Sequence, residues 1–221
     1  FPCPVATASL TISVTPAADA GGNGSRTVCD VPPTPFLLFS VLGGSPQAGG
    51  TWRAPGGGSH DGTYVPGEDE PGDYLYIVTA SAPCTGDTAV VTIFENEAPD
   101  AGQSATTTLC SNGTVVNLFT RLGGTPDAGG TWVGPAPANP PFSGQFVPGT
   151  SSPGTYTYTV TGIPPCADRS ATVQVLVTAS SSPGISNSIT VCSTEAPFSM
   201  VTRLLGSPAL NGTWTGPLPA T

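Results

Sequence analysis

Thr155-Tyr156-Thr157-Tyr158-Thr159-Val160-Thr161 and, nine residues later, Ala171-Thr172-Val173-Gln174-Val175-Leu176-Val177 set the fold class of this chain. In both runs small or polar residues alternate with β-branched or aromatic ones. A period of two sends one row of side chains into a core and the other into water, so each run reads as a half-buried strand. The connecting Gly162-Ile163-Pro164-Pro165 cannot continue a strand ladder, because proline lacks the N–H that the ladder needs. The stretch therefore reads as a long hairpin.

Working outward, the same text recurs. Pro71-Gly72-Asp73-Tyr74-Leu75-Tyr76 matches Pro153-Gly154-Thr155-Tyr156-Thr157-Tyr158, and Leu42-Gly43-Gly44-Ser45-Pro46 matches Leu122-Gly123-Gly124-Thr125-Pro126 and Leu204-Leu205-Gly206-Ser207-Pro208. The six cysteines, Cys3, Cys29, Cys84, Cys110, Cys166 and Cys192, have successive gaps of 26, 55, 26, 56 and 26. Two alternating gaps define one period of 81 or 82 residues. Trp52, Trp132 and Trp214 keep that period, each inside Gly-Thr-Trp. Residues 17–98 and 99–180 are read as complete copies, 1–16 as the end of a preceding copy, and 181–221 as the start of another. Such a pattern is expected of a window on a longer tandem array.

In the second copy, strands are expected near 106–109, 115–122, 131–133, 144–147, 155–161 and 171–177, with no helical period anywhere. Six or seven short strands in about 81 residues predict an all-β fold, a small immunoglobulin-like sandwich per copy. Trp52, Trp132 and Trp214 are expected in the cores. Tyr74, Tyr76, Tyr156 and Tyr158 are expected there too, because Pro-Gly-x-Tyr-x-Tyr is similar to the tyrosine corner of immunoglobulin-like sandwiches; two ordinary strand tyrosines are the alternative.

The composition fits and excludes. Of 221 residues, 29 are Gly and 26 Pro, only 9% are charged, and the net charge is −9. That is too few charges for a coiled coil, and no three-residue glycine period marks collagen. All five basic residues are arginines, scattered on an acidic chain, which argues against nucleic acid as a partner. No run of 18 apolar residues suggests membrane insertion, and Phe1-Pro2-Cys3-Pro4 does not begin a signal peptide, so any export signal is expected outside this segment.

Cysteines in this regular pattern, without a metal-type C-x-x-C, predict disulfides formed in an oxidising compartment. Pairing within a copy joins Cys29 to Cys84 and Cys110 to Cys166, and this is the favoured expectation. Pairing across the 26-residue gap joins Cys3 to Cys29, Cys84 to Cys110 and Cys166 to Cys192. A third scheme joins an early cysteine to the hairpin cysteine of a later copy, for example Cys29 to Cys166.

The ordered motifs T-[VL]-C, F-x-x-L-G-G-[ST]-P-x-A-G-G-T-W, P-G-x-Y-x-Y and P-C-x-x-x-x-A-x-V-x-[VI] cover the whole chain. Together they resemble the immunoglobulin-like or PKD-like repeats of giant Bacteroidota surface proteins, including gliding-motility-type adhesins exported by type IX secretion. The resemblance implies an extracellular stalk or adhesin segment, with no ligand specified.

Chemistry-bearing residues are sparse. Ser59-His60-Asp61 puts three triad residue types side by side, whereas a triad needs side chains converging from separate places, so a surface loop is expected. Glu68, Asp69, Glu70 and Asp73 could gather around Ca²⁺, but the second copy has Thr150, Ser151, Ser152 and Thr155 there, so a solvated acidic turn is expected and no cofactor. Asp19 and Asp100, before Ala-Gly, read as junction turns. The sequons at Asn23, Asn112 and Asn211 fall at different points of the repeat and read as Asn-Gly turns. Asp87-Thr88-Ala89 looks like the Bacteroidota O-glycosylation signal, making Thr88 a candidate.

The expected function is therefore non-catalytic: an extracellular stalk or spacer whose partners are neighbouring repeats of the same chain. A self-assembling filament of several copies is the second reading. A glycan-binding or enzyme-accessory module is the third, and it would need exposed aromatic rows rather than core tryptophans.

Overall fold

The computed structural model describes residues 2–138 and 140–216. Phe1, in the expected end of a preceding copy, Asn139, in the second complete copy, and 217–221, in the expected start of another, lie outside the described residues. Among the described residues strands alternate with glycine and proline turns, helical structure is confined to single 3₁₀ turns, and no helix is long and apolar enough to cross a membrane.

The first copy contains β1 (Gly24–Cys29), β2 (Phe36–Leu37), β3 (Thr51–Arg53), β4 (Ser59–His60), β5 (Thr63–Tyr64), β6 (Gly72–Val78) and β7 (Asp87–Asn96). One sheet has the order β1-β7-β6-β3-β4, and β2 pairs with β5 in a second, small one. β6 and β7 form the antiparallel hairpin, from Gly72 opposite Ile93 to Val78 opposite Asp87. β1 lies on the other edge of β7 and runs parallel to it, with Cys29 opposite Asn96. Alternation then decides the core. Tyr74, Tyr76 and Val78 of β6 face inward with Ala89, Val91 and Ile93 of β7, and Leu38, Tyr64 and Trp52 close the layer.

The second copy repeats the plan with β8 (Ala105–Cys110), β9 (Val116–Asn117), β10 (Thr131–Val133), β11 (Pro141–Phe142), β12 (Gln145–Phe146), β13 (Gly154–Val160) and β14 (Arg169–Thr178). Its sheet order is β11-β10-β13-β14-β8, with β12 on β9, and β8 runs parallel to β14 with Cys110 opposite Thr178. Each copy is thus a small immunoglobulin-like β-sandwich, closed by parallel pairing of its first and last long strands.

One expected strand is shorter than its sequence suggested. The run 115–122 pairs only at Val116 and Asn117, then turns as a 3₁₀ helix, Leu118–Arg121. Asn117 Oδ1 accepts from the Phe119 N–H (3.0 Å), a local bond that competes with the ladder while Leu118 drops into the core. The first copy makes the same turn at Leu38–Val41 without a side-chain cap.

The tyrosines tie loops to these sheets. Tyr74 Oη donates to the Glu70 carbonyl and Tyr156 Oη to the Ser152 carbonyl, both at 2.8 Å, each four residues back. Tyr76 Oη donates to the Gln47 carbonyl (2.6 Å) and accepts from the Gly50 N–H (2.8 Å). A Cβ on Gly50 would stand 2.6 Å from the Tyr76 ring, so Gly-Thr-Trp needs its glycine to let that ring approach.

Chain contacts divide the molecule into two compact units. The first is Phe1–Ala101 with Asp127–Gly130 and Thr159–Ser170; the second is Gly102–Pro126, Thr131–Tyr158 and Ala171–Thr221. The tip of the β13–β14 hairpin therefore belongs to the first unit. No residue in 181–216 is buried, and its regular pairing is the bridge between Ile185 and Leu205.

Candidate functional site

The hairpin tip holds the feature that sets this chain apart from a plain string of sandwiches. Cys29, the last residue of β1, is bonded to Cys166 with Cα atoms 5.0 Å apart, across 137 residues of sequence. The tip is shaped for the purpose. Cys166 N–H donates to the Ile163 carbonyl (2.9 Å) and Gly162 N–H to Asp168 Oδ1 (2.9 Å). A Cβ on Gly162 would lie 2.5 Å from the Cys166 carbonyl oxygen, so only glycine permits this tight return.

The receiving end is equally specific. Asp30 N–H donates to the Asn96 carbonyl (3.1 Å), Asp30 Oδ1 accepts from Ala98 N–H (2.7 Å), and Asn96 Nδ2 donates to the Pro164 carbonyl (2.9 Å). The disulfide thus has a hydrogen bond from the strand end to the tip beside it.

The favoured within-copy pairing is corrected by this bond, and the reason is parallel strand pairing. Cys29 stands opposite the last residue of β7, while Cys84 precedes the first. Nine strand steps at about 3.3 Å put roughly 30 Å between those ends, whereas a disulfide needs Cα atoms within about 7 Å. Cys110 and Cys166 are separated in the same way along β14. Cys3, Cys84, Cys110 and Cys192 are free thiols, so pairing across the 26-residue gap is not formed either.

Trp52 and Trp132 are both 8% exposed, with rings 4.8 Å from Tyr76 and 5.0 Å from Tyr158. Trp214 is 52% exposed. Trp214, expected in a core, is thus set apart from the other two, and it lies outside every strand of the described residues. An open groove of about 690 Å³ lies beside it, lined by residues including Pro183, Val201, Leu204 and Leu210; none of its lining residues is charged.

His60 is not on a surface loop. It lies in β4 opposite Trp52, its ring 4.9 Å from Tyr74, and Phe142 holds the matching place against Trp132. Its Nδ1 accepts from Gly62 N–H (3.0 Å) and Asp61 Oδ1 accepts from Thr63 N–H (2.7 Å), so the adjacent Ser59, His60 and Asp61 form turn contacts rather than a proton relay. This role was detectable in the sequence, since Phe142 is an apolar ring at the same repeat position.

The acidic run is spread over separate structural duties. Asp69 Oδ2 accepts from Val65 N–H (2.7 Å) and Asp73 Oδ1 from the Thr92 hydroxyl (2.7 Å), while Glu68 is exposed. Among the described residues, Cys29, Asp30 and Cys166 are the group of three ligand-type residues close enough for a metal, but both sulfurs are already bonded to each other. The disulfide form cannot supply thiolate ligands. Asp19 Oδ1 accepts from Gly21 N–H (2.8 Å), closing the junction turn. Thr88 is exposed on β7.

Sequence reasoning missed one half-buried polar pair. Tyr64 Oη donates to Glu95 Oε2 (2.9 Å), where the second copy has Phe146 and Val177. Burial pushes the Tyr64 phenol up, helped by the Glu95 bond and charge; burial, then Asp69, Glu70 and Glu95, pushes Tyr74 up to about 12. A phenol raised above its unfolded value of 10.0 stabilises the fold below pH 10 and loses that contribution as pH rises towards 12. The expected result is alkaline unfolding of the first sandwich across that window, lessened in Tyr64→Phe. Phenolate absorbance read alongside circular dichroism checks it; all tyrosines titrating near pH 10 in a protein that stays folded would contradict it.

No protein-family model matches the chain, and no curated protein matches it. Solved structures do. The chain is similar to the I-band fragment I67–I69 of titin at 13% identity and TM-score 0.42, covering 75% of this chain and 65% of that one. It is similar to extracellular domains 3–5 of Drosophila OTK at 17% identity and TM-score 0.30, covering 80% and 72%. The chain spans 65% of the length of the titin fragment.

Proposed function

We propose that this chain is a non-catalytic, load-bearing segment of an extracellular bacterial surface protein, a stalk or spacer built from tandem sandwiches. The observation that carries the reading is the Cys29–Cys166 bond, which closes a loop holding most of both sandwich cores and leaves β1 and β14 outside it. Tension applied outside the loop passes from Cys29 to Cys166 through the sulfurs and bypasses the 136 residues between them. An enzyme gains nothing from such a bypass, whereas a tether keeps its modules closed.

The bond needs an oxidising compartment to persist, which supports placement outside the cytoplasm. The motif resemblance to Bacteroidota adhesin repeats supports a cell-surface protein exported by type IX secretion, with 17–98 and 99–180 as its whole repeats and Thr88 as a glycosylated position. Antibody to the chain should label intact source cells, and thiol-blocked extracts of those cells should contain the Cys29–Cys166 peptide pair. Labelling only after lysis, or both cysteines recovered as free thiols, would contradict the reading.

A further inference from the structure

Asp30 follows Cys29 directly, and its carboxylate sits against the disulfide. Oδ1 lies 3.6 Å from Cys29 Sγ, and a carboxylate oxygen of Asp30 and the two sulfurs all fall within 4.8 Å of one another, a group with no equal among the described residues. The turn holds it there. Asp30 N–H donates to the Asn96 carbonyl (3.1 Å) and Asp30 Oδ1 accepts from Ala98 N–H (2.7 Å), so the carboxylate cannot swing away without giving up the Ala98 bond.

That bond alone does not call for a charge. The second copy makes it with a hydroxyl, Ser111 Oγ accepting from Ser180 N–H (3.0 Å), while Ser111 N–H donates to the Thr178 carbonyl (2.9 Å) as Asp30 N–H does to Asn96. Asp30 thus adds an anion to a turn that serine also closes. The place of the anion gives it a task. Cys166 is 6% exposed and Cys29 half-buried, so a thiol from solvent reaches the bond at Cys29 Sγ, and the species that attacks a disulfide is the thiolate. A negative charge beside the attacked sulfur opposes a negative nucleophile.

We propose that Asp30 is a specificity-determining residue for thiol exchange at this bond, slowing anionic thiols such as glutathione far more than thiols that carry a compensating ammonium group. In the exchange, one thiolate attacks Cys29 Sγ and forms a mixed disulfide while Cys166 leaves as a thiolate. A second thiolate then attacks the reagent's sulfur in that mixed disulfide, releases Cys29 and departs as the oxidised reagent dimer; two electrons pass to the protein, and the protons of the two thiols end on the two cysteines. Each step brings or creates a thiolate beside Asp30. The inference concerns the bond on which the load-bearing reading rests, yet it needs no load: rates that ignore Asp30 would leave that reading standing, whereas absence of the bond would remove both.

The test takes the full oxidised chain with its free thiols Cys3, Cys84, Cys110 and Cys192 alkylated, treats it with mercaptoethanesulfonate or with cysteamine, and follows the release of Cys29 and Cys166 by isotope-labelled alkylation and peptide mapping. Asp30→Ser and Asp30→Asn both keep an acceptor for Ala98 N–H. In each, exchange with the sulfonate thiol is expected to run about tenfold faster than in the wild type, the effect of one charge contact near 4 Å in a partly wet setting, and exchange with cysteamine less than about twofold faster. Added salt narrows the sulfonate gap, since screening weakens the repulsion in the wild type. An intact Cys29–Cys166 peptide and unchanged circular dichroism before the reagent is added check the fold. Equal sulfonate rates in wild type and variants, or an equal gain with both reagents, as a merely loosened turn would give, would overturn it.

Discussion

Pulled by its two ends, the Cys166→Ser chain is expected to release about 450–490 Å more contour length than the oxidised wild-type chain, from 137 residue steps at about 3.3–3.6 Å each. In the wild type, force reaches Cys29, crosses the sulfurs and leaves from Cys166. Trp52, the β6–β7 hairpin, Trp132 and all of β13 sit inside the bypassed loop, so they can loosen without lengthening the molecule. A reducing agent should give the wild type the same gain as the substitution. The bond also restricts the unfolded chain, and loop-closure entropy for 137 residues puts that near 5 kcal/mol. Single-molecule force spectroscopy reads the length directly. Equal extension in oxidised and reduced protein would mean that the bond carries no load.

Trp132→Ala is expected to destabilise the second sandwich by about 3–5 kcal/mol, and Trp214→Ala to change stability by less than about 0.5 kcal/mol. The first figure is a large share of what holds a domain of this size together. Trp132 lies between the Tyr158 ring at 5.0 Å and the Phe142 ring at 6.5 Å, so its loss opens a cavity among rings that are held by their own strand pairing. Trp214 has water on half its surface and leaves no such cavity. Urea denaturation followed by circular dichroism separates the two; comparable midpoint shifts would show that the Trp214 position is a core position after all.

The strands were legible because their signal is local. Tyr156, Tyr158, Val173 and Val175 announce a half-buried sheet by alternation alone, and the repeat locates Tyr74, Tyr76, Val91 and Ile93 by the same rule. The turn at Leu118–Arg121 was not legible, since Val116 to Leu122 also reads as a strand and the competing bond from Asn117 is only visible once the chain is folded. The disulfide was undetermined for a different reason. The 26 and 55-residue gaps are satisfied by several connectivities, and what selects among them is that β1 runs parallel to β7, a tertiary fact. Parallel pairing carries Cys29 to the far end of β7 from Cys84 and leaves it beside the tip of the following hairpin. His60 was misread because a glycine-rich neighbourhood looks like a loop, while its repeat partner Phe142 already marked the position as a cross-strand neighbour of tryptophan.

The central claim is that one sandwich is bonded to the hairpin tip of the next. Non-reducing peptide mapping of the thiol-blocked chain tests it most directly. The structure predicts a peptide pair joining Cys29 to Cys166, with Cys110 recovered as a blocked thiol from the monomer fraction. Peptides joining Cys29 to Cys84 and Cys110 to Cys166 would contradict it.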